Sequence, residues 1–246
     1  MRKIVLIAGA LVLLAAAVLP SDAAVSDQAK FKKATAAFDK GVKAAQAGEL
    51  EQAETLFQQA LEQYPLPGAY VELGKIQMAR NNPAKALEYY QQAREAFLKL
   101  HDEKIKSQAA AQNQSREYAQ QDQQSSKPTV GGFAKVSVEK DKSQRTEEQR
   151  QVVATDQEAD IPALFYLYIS GAYLKLGKPD LAEKELLEGI AKDTKMAPLQ
   201  FSLAVALMIQ GKYPEAADAA RKARDLGFKL PPAFVTDLET RGQLKL

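Results

Sequence analysis

The feature that most constrains the fold of this chain is a pattern that occurs four times along its 246 residues. In each copy a Gly or Asn is followed five residues later by an Ala, and seven residues after that Ala comes another small residue. The copies begin at Gly48, Asn81, Gly177 and Gly211. Residues seven apart lie on the same face of an α-helix. Each copy therefore predicts a turn followed by a helix whose small residues form a narrow buried stripe.

Each residue type in the pattern has a mechanical role. Gly or Asn can adopt the left-handed conformation that ends one helix, and a Pro shortly afterwards can begin the next one. Two helices joined by so short a turn pack antiparallel, and an Ala at the contact lets their backbones approach closely. The sequence therefore predicts helix–turn–helix units whose close contacts lie at Ala53, Ala86, Ala182 and Ala216.

These positions resemble the tetratricopeptide repeat (TPR) family. The predicted repeats span residues 34–67, 67–100, 163–196 and 197–228. The residues that match the family pattern are, in repeat order, Gly41, Ala53, Phe57, Ala60 and Pro65; Tyr70, Leu73, Gly74, Ala86, Tyr90 and Ala93; Tyr166, Ile169, Tyr173, Gly177, Ala182 and Leu186; Leu203, Ala204, Leu207, Gly211, Ala216 and Ala223. The resemblance implies an all-α, TPR-type α-solenoid of about four helix-turn-helix repeats.

Some positions depart from the family pattern. Ala37 stands where a large aromatic side chain is usual, and Ser170 replaces the glycine at which the two helices of a repeat pack. The second repeat lacks the closing Pro, so its second helix is expected to run on.

The first residues predict a secretory signal peptide over 1–23. Arg2 and Lys3 precede an apolar stretch from 4 to 19, and small residues follow, with cleavage expected after Ala23. An uncleaved anchor is the alternative, but about 16 apolar residues fall short of the roughly 20 that span a bilayer. The expected location is therefore periplasmic or secreted, with no membrane insertion after cleavage.

The rest of the chain divides by composition. Residues 24–100 form a predicted N-terminal TPR pair, and 161–228 form the C-terminal TPR pair. Between them, 101–160 is a polar, Gln-rich insertion, expected to be partly helical or disordered, with a short strand-like alternation at 133–138. Asp160 is expected to cap the helix that follows. Residues 229–246 are a predicted capping helix and tail.

Composition excludes several classes of function. The chain has 33 Lys and Arg against 31 Asp and Glu, so its net charge of +2 offers no basic surface for nucleic acid. It has no Cys and one His, which excludes disulfides and thiolate or His-rich metal sites. No group of polar residues has the spacing of a catalytic site. The chain is therefore predicted to be no enzyme and to need no metal or cofactor.

The family resemblance also implies where a partner binds. In TPR proteins the first helices of the repeats line a concave groove that takes an extended peptide or a partner helix. The matching residues here are Phe38, Val42, Val71, Lys75, Met78, Leu164, Leu167, Leu174, Lys175, Phe201, Val205 and Met208.

This row is mostly apolar, and Phe38, Val42 and Leu164 occupy the places of a basic clamp used by some members. The expected ligand is an apolar or amphipathic peptide. Alternatively, some of these side chains pack between neighbouring helices, or lie under the insertion or residues 25–33.

The functional expectation is an exported, non-catalytic adaptor or scaffold in the bacterial cell envelope, with a protein or peptide partner. The alternative is a structural subunit of a larger envelope assembly, or a homo-oligomer that uses the same surface.

Overall fold

The computed structural model describes residues 22–125 and 160–242, and within these residues the chain forms helices and no strand. The helices are α1 (Asp22–Ala47), α2 (Leu50–Gln63), α3 (Pro67–Ala79), α4 (Pro83–Ser125), α5 (Ala163–Lys175), α6 (Pro179–Lys192), α7 (Ala197–Ile209), α8 (Tyr213–Asp225) and α9 (Pro232–Gly242). The predicted all-α, TPR-like architecture is confirmed. The number of repeats and the role of 101–160 as an insertion stay predictions.

The predicted turns lie where the Gly and Asn residues stand. Gly48, Gly177 and Gly211 have φ angles of 85°, 69° and 77°, and Asn81 has a φ of 57°. These left-handed conformations end α1, α3, α5 and α7, and Pro83 and Pro179 are the first residues of α4 and α6. The chain therefore reverses at each of these positions within two or three residues.

The alanines that the sequence places at the helix contacts are fully buried. Ala53, Ala86, Ala182 and Ala216 are each 0% exposed. The small residues seven positions later are also buried, at Ala60, Ala93, Gly189 and Ala223. Both small residues of each copy therefore lie in the interior, as the prediction requires.

A glycine of the first helix faces an aromatic ring of the second helix in two of the pairs. A Cβ atom on Gly41 would lie 2.7 Å from the ring of Phe57, and a Cβ on Gly74 would overlap the ring of Tyr90. Ser170, at the matching position of α5, is fully buried, and its hydroxyl donates to the Leu167 carbonyl at 2.9 Å. In this pair the residue on the first helix is larger than glycine, and the residue on the second helix, Leu186, is smaller than the aromatic rings of the first two pairs.

Helix α5 packs directly against the α3–α4 pair. Val71, Ala93 and Phe165 form one buried cluster, and the Tyr90 and Tyr168 rings stack with centroids 5.2 Å apart. Arg94 also donates to Glu185 of α6 at 3.0 Å. Residues far apart in sequence therefore share one core.

Helix α4 is 43 residues long, as the missing proline predicts. The described residues divide into two compact units, of which one comprises 22–98 and 161–242 and the other comprises 99–125 and Asp160. The signal peptide prediction, up to Ser21, and the strand-like stretch at 133–138 lie outside the described residues. None of the described helices is long and apolar enough to cross a membrane.

The prediction that Asp160 caps the next helix is wrong. Helix α5 begins at Ala163, its N-cap is Pro162, and no side chain bonds to the cap. Pro162 has an extended ψ of 133°, and the Phe165 amide donates to its carbonyl at 3.0 Å. The helix therefore begins directly after Pro162, and Asp160 lies two residues before the N-cap position.

At the C-terminal end, α9 covers α7 and α8. Phe234 and Leu238 are buried in the core cluster that α7 and α8 form. This placement agrees with the capping role that the sequence predicts for this helix, because it shields apolar surface at the end of the stack.

Candidate functional site

The side chains of the predicted groove row differ in how far the chain uses them for its own packing. Three of them are used by the chain for its own packing. Phe38 lies 5.5 Å from the Phe57 ring, Val71 is only 9% exposed, and the Phe201 ring stacks on Phe228 at 4.6 Å. Phe201 also meets Phe234 of α9 edge-on at 5.1 Å. These aromatic contacts hold neighbouring helices together.

Lys75 already has partners within the chain. Its ammonium lies 2.7 Å from the Glu72 carboxylate and 5.2 Å from the centroid of the Tyr168 ring. Burial alone lowers the pKa of Lys75, but the Glu72 charge and hydrogen bond, together with Tyr168, raise it overall. Lys75 therefore stays protonated where α3 meets α5, and the Glu72 carboxylate balances its charge.

Val42 and Met78 are half-buried against local cores. Val42 packs on the cluster that contains Ala53 and Phe57, and Met78 packs on the cluster that contains Tyr90 and Ile169. Neither is fully covered.

The other six side chains of the row lie on α5 and α7, where Leu167, Leu174, Val205 and Met208 pack on the core cluster of α7 and α8 and still remain partly exposed, and Lys175 is exposed. They recur at helical spacing on the side of each helix opposite its buried residues. Together with Gly171 and Ile209 they form what we name the α5–α7 face: Leu164, Leu167, Gly171, Leu174, Lys175, Val205, Met208 and Ile209. The two helices contact each other, so their rows are neighbours.

Sequence reasoning missed Ile209, which is 54% exposed and is the most exposed of the large apolar side chains described. Its spacing of four residues from Val205 places it on the same helix face, and that spacing could have identified it. Gly171 was also missed, because the matching position in the other repeats carries a side chain.

The sequences of α5 and α7 explain why this face is apolar. Lys175 is the single charged residue in the two helices, and α7 has none. A helix that is apolar all round is normally buried on all sides. Here the buried side is occupied by residues such as Ile169 and Leu203, while the other side stays partly open. The α5–α7 face therefore has the composition of an interior but lies at the surface.

Polar contacts lie at the ends of α3 and α7, away from this apolar row. The Gln77 side-chain amide donates to Glu54 at 3.0 Å, and Arg80 donates to the same carboxylate. In the later repeats, Gln210 donates to Glu183 at 2.8 Å and Lys212 does so at 2.9 Å. The hydrogen bonds from Lys212 and Gln210 lower the pKa of Glu183.

The arrangement can bury apolar surface, and it offers few groups for chemistry. Within the described ranges, no three His, Cys, Asp or Glu side chains lie together as a metal site would require. Tyr90, whose pKa is raised chiefly by burial, is 2% exposed and lies in the interior.

Comparison with known proteins identifies the repeats. A family model described as a tetratricopeptide repeat matches residues 38–98 and 171–227. No curated protein matches the chain significantly.

Two solved structures have a similar fold. One is YrrB, described as a TPR protein with an unusual peptide-binding site, with a TM-score of 0.52, 12% identity and coverage of 90% of this chain and 81% of YrrB. The other is the MamA protein, with a TM-score of 0.52, 15% identity and coverage of 87% of this chain and 85% of MamA.

At these identities the likeness concerns the fold alone. The TPR fold is in general a non-catalytic scaffold for protein interactions, and no enzyme family is indicated. The match of the family model over residues 38–98 and 171–227 identifies these stretches of the chain as members of the tetratricopeptide repeat family.

Proposed function

We propose that this chain is an exported, non-catalytic adaptor or scaffold of the bacterial cell envelope that binds an apolar or amphipathic segment of a partner protein. The α5–α7 face is the proposed docking surface. The observation that carries the proposal is a row of partly exposed apolar side chains, with Ile209 exposed, on two helices that hold one charged residue between them. Apolar surface of this kind on a soluble protein is typical of an interaction site.

A protein or peptide ligand also agrees with the family. YrrB, which shares the fold, has an unusual peptide-binding site. In this chain the ligand surface is proposed on α5 and α7, because their outer side holds one charged residue, whereas Val71 of α3 is buried and Phe38 of α1 packs on the Phe57 ring.

Site-specific photo-crosslinking in the organism that encodes the chain tests the proposed surface. A photoreactive phenylalanine analogue at Ile209 is compared with the same analogue at Leu187, which is 51% exposed on α6. We expect a discrete crosslinked product at Ile209 whose captured segment is apolar on one side. Equal products at both positions, or none at Ile209, would contradict the proposal.

Export is proposed from the sequence of residues 1–23. Mass spectrometry of the protein recovered from its native cells tests it. A mature chain beginning at Ala24 in the periplasmic or secreted fraction supports export, and an intact chain in the cytosolic fraction contradicts it.

A structural subunit or homo-oligomer is the second candidate. It uses the same α5–α7 face, whose partly exposed apolar side chains can equally be buried against a neighbouring subunit or a second copy of the chain. Native mass spectrometry distinguishes the two candidates: a stable homo-oligomer favours the structural role, and a monomer favours the adaptor.

A further inference from the structure

Gly171 lies inside α5 without a packing reason in the chain itself. A Cβ atom added there would meet nothing within 4 Å. By contrast, a Cβ on Gly41 would lie 2.7 Å from Phe57, and one on Gly189 would lie 2.8 Å from the Tyr166 Cβ. Gly within a helix costs about 1 kcal/mol relative to Ala. Among the described residues, no close contact therefore explains why a glycine rather than an alanine stands at this position.

The position of Gly171 on its helix indicates a role in binding another molecule. Gly171 is four residues after Leu167 and three before Leu174, so it lies on the same helix face as both. Its missing side chain leaves a notch in an otherwise apolar row. Glycine commonly occurs where another molecule approaches the backbone closely.

The scarcity of hydrogen-bonding groups decides the conformation of the partner. Among the half-exposed and exposed residues of α5 and α7, those with polar side chains on this side are Tyr168, Lys175 and Ser202. An extended peptide would bring unpaired backbone N–H and C=O groups, and burying such groups against apolar side chains is unfavourable. A helix satisfies these groups internally.

The charge of the face decides the polar residues of the partner. Lys175 is exposed, and no carboxylate of the described residues lies within salt-bridge distance of its ammonium. Lys75 at the equivalent side of α3 is instead paired with Glu72 at 2.7 Å. Because α5 and α7 hold no acidic residue, an anion for Lys175 has to come from outside these helices.

We infer that the α5–α7 face binds an amphipathic helix that places a large apolar side chain over Gly171 and a carboxylate beside Lys175. The inference rests on the proposed function and specifies its partner class. The partner helix buries its apolar stripe along Leu167, Leu174 and Val205. Its acidic residues border that stripe.

Three synthetic probes test the inference by fluorescence anisotropy with the full mature chain. The first is an amphipathic helix of about 18 residues, five turns, with Leu on one face and Glu beside it. The second carries Lys in place of Glu. The third is the first with two central prolines, which prevent a helix. We expect the acidic helix to bind, the basic helix to bind about fivefold or more weakly, and the proline peptide to bind least.

Variants of the chain locate the bound helix. Gly171→Leu is expected to lower affinity for the acidic helix about tenfold, because the notch is filled. Gly171→Ala is expected to lower affinity less, while raising the Tm by about 2–4 °C through better helix propensity. Lys175→Glu is expected to reverse the preference between the acidic and basic helices. Leu187→Glu on α6 is the matched control and should change nothing.

The outcomes separate the two proposals. If the proline peptide binds as tightly as the acidic helix, and Ile209→Glu abolishes that binding, the helix inference is overturned and the docking surface stands. If Gly171→Leu leaves affinity unchanged, or no probe binds, the inference is also overturned. The proposed function itself fails on the crosslinking result at Ile209, which does not depend on these probes.

Discussion

At the scale of single residues, the size of one side chain is matched to the size of another across the first three helix pairs. Gly41 and Gly74 make room for the rings of Phe57 and Tyr90. The third pair has Ser170 with Leu186, both 0% exposed, and the fourth has Ala204 with Ala220, also 0% exposed. In the first three pairs the combined volume of the two side chains is thus similar, as a close-packed interior requires, whereas Ala204 with Ala220 is smaller.

Gly74→Ala tests this matching. The added methyl group would overlap the Tyr90 ring, which is 2% exposed and stacked on Tyr168, so it has little room to move. We expect a loss of about 1–3 kcal/mol in the free energy of unfolding, measured by urea titration.

The rescue and the control use the same chain. Adding Tyr90→Leu to a Gly74→Ser variant reproduces the Ser170 with Leu186 combination, and it should lose less than the two single changes together. Gly171→Ala is the matched control and should stabilise the chain. If Gly74→Ala is neutral, the matching is not what limits these positions.

The short-range part of this pattern is readable from the sequence. Ala53, Ala60 and Phe57 lie within one helix, so their shared face follows from helix geometry alone. Their burial was predicted and is observed. The open space at Gly171 was not predictable, because it depends on what does not lie opposite this residue in three dimensions.

At the scale of helices, a carboxylate on the second helix of one pair joins the end of the next pair's first helix. Glu54 of α2 accepts from Gln77 of α3, and Glu183 of α6 accepts from Gln210, which directly follows α7. Each acid directly follows one of the buried alanines, Ala53 or Ala182. These contacts fix the angle at which one pair meets the next.

Glu54→Ala is expected to destabilise the chain by about 1–3 kcal/mol, because the Gln77 amide would be left buried without its acceptor. Gln77 is 3% exposed. Glu51→Ala is the matched control: Glu51 also faces Arg80, at 3.3 Å, but its side chain is 88% exposed. Thermal unfolding followed by circular dichroism measures both, and an equal loss in the two variants would contradict the role of Glu54.

The Glu183 contact predicts a pH dependence. Since the folded pKa of Glu183 lies below its ordinary value of 4.5, its stabilisation is present above that value and is lost as the pH falls through the folded pKa. The difference in unfolding free energy between the wild type and Glu183→Gln should therefore shrink in acid.

Glu185 predicts the opposite dependence of stability on pH. Burial raises its pKa despite the nearby Arg94, so stability that is fully present below the ordinary value of 4.5 is lost as the pH rises from there through the higher folded pKa. The stability of the wild type relative to Glu185→Gln should therefore fall with rising pH over this range. Urea titrations at several pH values measure both trends, and parallel trends in the two variants would contradict the assignment.

At the scale of the whole molecule, the first compact unit joins residues on both sides of 99–160. Phe165 is 3% exposed and lies in one cluster with Val71 and Ala93. The Phe97 ring lies 5.6 Å from the Phe165 ring. A single core therefore connects α3 and α4 to α5.

Phe165→Ala is expected to lower the free energy of unfolding by about 3–5 kcal/mol. Hydrogen exchange should show lost protection in α3 and α4 as well as in α5 and α6, because both sides share the cluster. Leu187→Ala, at a 51% exposed position, is the control and should change stability by less than about 0.5 kcal/mol. Lost protection confined to α5 and α6 would mean that the two sides fold independently.

Long-range packing sets the limit of what the sequence predicts about the site. The sequence placed Leu167, Leu174 and Val205 on one row, and the structure has them on the α5–α7 face. Phe201 has the same spacing, yet its ring stacks on Phe228 and meets Phe234 edge-on, which partly covers it. Which member of an apolar row is covered depends on where a later segment packs, and periodicity carries no information about that.

The central claim is that the α5–α7 face is where a partner docks. Methyl NMR of residues 24–246, labelled at Leu, Val, Ile and Met and titrated with the acidic amphipathic helix, tests it most directly. We predict shift changes confined to Leu167, Leu174, Val205, Met208 and Ile209, with Leu181 and Leu187 unchanged. Shift changes centred on Leu181 and Leu187, or spread evenly over the chain, would contradict the account.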